Sequence, residues 1–100
     1  MSKYRLSFQA RRQISDIGAF TARRFGLYQA RAYHEGLERT FGLLADFPKM
    51  GTSADELLRG ARRFRFQSHD VFYTEEEDGV LIRAVFHTAQ NVRPSLFDNR

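Results

Sequence analysis

The chain contains no cysteine among its 100 residues, which excludes a disulfide framework, a thiolate nucleophile and a thiolate zinc site. Its histidines, His34, His69 and His87, lie at none of the close spacings that zinc sites use, so neither a metal nor a cofactor is expected. No stretch approaches the roughly 18 apolar residues of a membrane span. The opening Met1-Ser2-Lys3-Tyr4-Arg5 has no apolar core of a secretion signal, and the expectation is a cytosolic protein that does not touch membranes. Repeats, low-complexity tracts and interdomain linkers are missing too, and the length suits one compact domain over residues 1–100.

Positive charge, by contrast, is abundant. The net charge is +4, but Glu75-Glu76-Glu77-Asp78 holds four of the twelve acids. The remainder sets 16 basic residues against eight acidic ones, a +8 surface suited to acidic partners, whether nucleic acid or protein.

Periodicity divides the chain into elements. Tyr4, Leu6 and Phe8 alternate with Arg5 and Ser7, as in a strand with one solvated side. From Gln9 the period lengthens: Ala10, Ile14, Ile17 and Phe20 form a helical stripe opposed by arginines, closed at Phe25-Gly26 with Gly26 as a left-handed cap. A second helix carries Ala30, Tyr33, Leu37, Phe41 and Leu44 and ends near Phe47, before Pro48. The short link between them predicts an antiparallel helical hairpin. Residues 48–60 read as a connection with at most one helical turn. Three strands follow, around Phe64 and Phe66, over Val71–Thr74 and over Val80–His87. Asp78-Gly79 is a hairpin signal because it accepts positive φ. The expected fold is therefore α+β: an N-terminal strand, a helical hairpin and a three-stranded antiparallel meander in one mostly antiparallel sheet, order β-α-α-β-β-β.

Four constellations could carry function. Arg62, Arg63, Arg65 and Arg83 with His69 and His87 all fall on the C-terminal strands. Alternation groups Arg63 with Arg65 and Arg83 with His87, and one shared face would form a cationic patch with an imidazole beside it. Such a patch could clamp a phosphodiester or bind a target; it could also be a solvated sheet face. The hairpin carries more aromatics than one small sheet face covers, with Phe20, Phe25 and Tyr28 the candidates for docking a partner and Tyr33 and Phe41 read as core. Leu96 and Phe97, beyond Pro94, either fold back on the sheet or form a hydrophobic hook. The run Glu75–Asp78 reads as a solvated turn.

Along nearly its whole length the chain resembles the ParE branch of the ParE/RelE toxin superfamily. The resemblance lies in Tyr4-Arg5-Leu6-Ser7, Arg23-Arg24-Phe25-Gly26, Phe47-Pro48-Lys49-Met50-Gly51, Arg62-Arg63-Phe64, Ser68-His69-Asp70-Val71-Phe72-Tyr73 and Arg83-Ala84-Val85-Phe86-His87. It implies a toxin of a type II toxin–antitoxin system that poisons DNA gyrase without being an enzyme. A ParD-like antitoxin would mask it through Phe20, Phe25, Tyr28, Leu96 and Phe97, and no small-molecule substrate is implied. The candidate target-binding set is Arg63, Arg65, Arg83 and His87, where RelE relatives, which cut mRNA on the ribosome, place their ribonuclease residues. The chain departs from that ribonuclease pattern: the strand at Arg62–Phe66 has no lysine and no tyrosine follows His87. Arginine can replace lysine as a charge clamp but not as a proton donor.

Overall fold

A computed structural model describes residues 3–98. Strand β1 spans Lys3–Leu6, helices α1 and α2 span Phe8–Phe25 and Leu27–Asp46, and strands β2 to β5 span Thr52–Ser53, Ala61–Phe66, His69–Glu76 and Gly79–His87. The five strands form one sheet in the order β1-β5-β4-β3-β2. Strands β2 to β5 pair antiparallel, while β1 runs parallel to β5. The α+β expectation holds, with one strand added: β2 arises inside the segment read as a connection, too short at two residues to show a period of two.

The first strand ends earlier than its alternation suggests. Ser7 caps α1, its Oγ accepting from the Ala10 N–H at 3.0 Å and donating to the Arg83 carbonyl at 2.8 Å. An N-cap satisfies a free helix N–H, so the hydroxyl at position 7 decides the boundary and Phe8 becomes the first helical residue, 73% exposed. The helices meet at Gly26, whose φ of 96° and ψ of 166° lie in a region essentially restricted to glycine, not in the left-handed helical region expected. This extended link turns the chain within one residue.

Sheet and hairpin enclose the main core on one face: Ala10 and Ile14 of α1, Leu37, Phe41 and Leu44 of α2, and Val71, Tyr73, Val80, Ile82 and Val85 of the sheet. The outer ends of the two stripes overhang it, leaving Phe20, Phe25, Leu27 and Tyr28 exposed. The opposite face is partly covered as well. Phe72, Ala84 and Phe86 pack there with Ala54, Ala61 and Phe97. A short 3₁₀ turn at Pro94–Leu96 brings Phe97 in, and Gln9 ties both sides of it, its amide donating to the Leu96 carbonyl (2.6 Å) and its Oε1 accepting from the Asp98 N–H (2.8 Å).

The β4–β5 hairpin forms at the expected place by another device. Glu76 pairs with Gly79, so the two-residue loop is Glu77-Asp78, and Gly79 has no positive φ. Its smallness is what counts: a Cβ at position 79 would overlap the Lys3 backbone of the parallel neighbour. Further along, pairing shifts by one residue, Phe72 facing Ala84 and Tyr73 facing Ile82, which leaves Arg83 as the bulged residue of β5.

Candidate functional site

The bulge reassigns the faces. Directly paired residues share a face, so Arg63, opposite Phe72, and Arg65, opposite Asp70, lie on the side away from the helices. His87 pairs with His69, whose ring meets Tyr33 of α2, and therefore lies on the helix side. The single face expected for Arg63, Arg65, Arg83 and His87 does not exist, because the extra residue at Arg83 breaks the alternation that would have linked Arg83 to His87. The arginines are also engaged. Arg65 Nε donates to the buried Asp70 carboxylate at 3.1 Å, Arg63 lies over the Phe72 ring, and Arg62, on the helix side with Tyr73, donates to the Gly51 carbonyl at 2.7 Å. Tyr73 anchors the same loop, accepting from the Gly51 N–H and donating to the Pro48 carbonyl, and burial raises its pKa. Arg83 is half-buried and close enough to Glu76 to help Arg5 hold that carboxyl below its usual range, the Arg5 hydrogen bond being the larger cause.

Where the hairpin overhangs the sheet, a cleft of about 690 Å³ opens. Ile17, Phe20 and Phe25 of α1 form an apolar wall, and Tyr33, His69 and His87 bring polar groups to it. The Tyr33 hydroxyl lies 2.6 Å from His69 Nδ1 and 3.3 Å from the Phe66 carbonyl. The His69 and His87 rings meet edge to face at 5.3 Å, and His87 Nδ1 accepts from the Ala89 N–H at 3.0 Å. Burial, then the neighbouring His87, lowers the His69 pKa against a small upward pull from Asp70, while burial raises that of Tyr33. The sequence shows the two histidines but not their union with Tyr33, which its helical stripe assigns to core. The step from Val80 and Ile82 to Val85, which breaks strict alternation, is the signal that would have exposed the bulge and with it the pairing of His69 and His87.

The docking candidates also separate. Phe20 and Phe25 line the cleft and Tyr28 stands beyond it, 84% exposed. Leu96 borders a shallower recess with Gln9, Arg12 and Asp98. Phe97 is only 8% exposed, its ring 5.2 Å from Phe72 and 5.5 Å from Phe86. It belongs to the second core and offers no free surface, a correction to its place among the docking residues.

Comparison with known proteins meets this geometry at the level of family. The family described as ParE toxin of type II toxin-antitoxin system, parDE, matches residues 4–92. The Toxin ParE1 of Caulobacter vibrioides is 36% identical over 96% of this chain and 99% of its own. A Toxin ParE1 of Mycobacterium tuberculosis is 30% identical over 95% and 98%. In fold, the chain superposes on a structure titled chromosomal ParDE TA system from P. aeruginosa with a TM-score of 0.74 at 11% identity, covering 87% of this chain and 96% of that one. A family match over nearly the whole described chain, with relatives of the same length, establishes that this protein belongs to the ParE toxins of type II toxin–antitoxin systems.

Proposed function

We propose that the protein inhibits DNA gyrase by binding, without catalysing a reaction itself, and that a ParD-like antitoxin holds it inactive until released. The observation that carries this reading is the separation of the imidazoles from Arg63 and Arg65 by the sheet. Cutting a phosphodiester needs an acid–base group and a charge clamp on the same reacting group. Here His69 and His87 face the hairpin while Arg63 and Arg65 face the other side, neutralised by Asp70 or stacked on Phe72. That arrangement argues against the RelE-type ribonuclease and leaves a binding toxin. The exposed Phe20, Phe25, Leu27 and Tyr28 at the hairpin end supply the kind of apolar patch that a monomer leaves open for a partner.

The test is direct. Purified toxin incubated with gyrase, ATP and supercoiled plasmid is expected to trap cleaved DNA, and to leave mRNA intact on translating ribosomes. Codon-specific mRNA cuts that disappear in His87→Ala, with gyrase unaffected, would replace this reading by the ribonuclease one.

A further inference from the structure

The cleft beneath the hairpin has the make-up of a docking site with a built-in proton switch. Its Tyr33 hydroxyl has two partners, the His69 Nδ1 at 2.6 Å and the Phe66 carbonyl at 3.3 Å. With His69 neutral and its proton on Nε2, the hydroxyl donates to Nδ1. With His69 protonated, the Nδ1–H donates to the hydroxyl, whose own proton turns to the Phe66 carbonyl. Both protonation states are thus satisfied without moving a heavy atom far, which an imidazole packed against carbon alone would not allow. His87 Nδ1 accepts from the Ala89 N–H, which leaves the Nε2 of that ring to carry the proton, and the His69 tautomer that accepts from the Tyr33 O–H carries its proton on Nε2 as well. Two imidazoles lining one cleft suit an acceptor, and a charged imidazole suits a carboxylate.

The surroundings choose the kind of ligand. An apolar wall of Ile17, Phe20 and Phe25 calls for a hydrophobic side chain beside that acceptor. Arg23 and Arg24, exposed in the last turn of α1 between Phe20 and Phe25, favour a negatively charged partner at this end of the hairpin, and the whole chain carries +4. We infer that the cleft seats an acidic segment of the antitoxin, an apolar side chain entering against Phe20 and Phe25 and a carboxylate meeting His69 and His87, so that docking takes up a proton. The inference rests on the antitoxin reading above. The titratable groups around His69 are His87 on β5, Tyr33 on α2, Asp70 on β4 and Asp16 on α1. In the free protein burial disfavours the charged form of His69; an incoming carboxylate favours it, and by linkage the complex tightens as pH falls.

The protein and a ParD-like antitoxin are titrated against each other calorimetrically at pH 8, 7 and 6, in pairs of buffers that differ in ionisation enthalpy. Wild type is expected to bind about tenfold more tightly at pH 6 than at pH 8, with net proton uptake. His69→Gln should lose both the rise in affinity between pH 8 and pH 6 and the net proton uptake. Phe20→Ala should weaken binding at every pH. Melting curves confirm that each variant is folded, and Tyr33→Phe, which keeps the ring and removes only the hydroxyl, should change the proton uptake even if a histidine variant does not fold. A complex whose affinity is flat or falls on acidification overturns the proton-linked site and leaves the antitoxin reading standing. No complex at any pH overturns both.

Discussion

Phe97 offers the sharpest test of the packing. It lies near the end of the described chain, where side chains are commonly loose, yet it is 8% exposed and closes an aromatic triangle with Phe72 and Phe86. Truncating a buried phenylalanine to alanine costs about 3–5 kcal/mol, and each edge-to-face contact contributes about 0.5–1.5 kcal/mol within that figure. Release of the tail alone in the variant would cap the loss at the free energy of docking it. The lower end is therefore expected, about 3 kcal/mol. For a domain of this size each kilocalorie shifts the melting temperature by about 4–8 °C, so Phe97→Ala should melt about 12–24 °C below wild type. Phe97→Leu, which refills most of the volume, should lose under about 1.5 kcal/mol. Thermal unfolding followed by circular dichroism gives the size of the effect. Amide exchange at Asp98, whose N–H is held by Gln9, reports whether the tail alone has come loose. A Phe97→Ala protein that melts within about 2 °C of wild type, with Asp98 still protected, would refute the buried placement.

Other perturbations probe the remaining links. Gly79→Ala forces a methyl group into the Lys3 backbone and should cost about 1–3 kcal/mol, with β1 amides exchanging faster; an unchanged melting temperature would mean that β1 does not pair as described. His69 has a folded-state pKa below its usual 6.5, so the unfolded chain binds the proton first and stability should fall as pH drops through about 6.5 toward the lower folded value. His69→Gln should flatten that part of the melting-temperature profile, and a slope that survives assigns it to another group. Arg83→Glu, on a half-buried bulge residue near Glu76, should stay folded with a loss under about 1 kcal/mol and should abolish growth arrest if Arg83 meets the target. Undiminished arrest in a folded variant would remove Arg83 from the functional surface.

Much of this architecture follows from local pattern alone. The period of three to four residues through Ala10, Ile14 and Ile17, and again through Leu37, Phe41 and Leu44, specifies two amphipathic helices because each must bury one stripe. Gly26 between them, and the β-branched runs that follow, determine a helical hairpin on a sheet in the same way. Family, too, was legible, since it lies in the order of short segments along the chain. What only the tertiary structure decided lies wherever a side chain answers to something distant in sequence. Ser7 ended β1 two residues early through its own cap and the Arg83 carbonyl. Gly79 was chosen for the approach of the Lys3 backbone, not for a turn. A single bulge at Arg83 placed His87 on the face opposite Arg63 and Arg65, because a period of two converts one extra residue into a change of side. The cleft joining Tyr33, His69 and His87 exists only once that register is set.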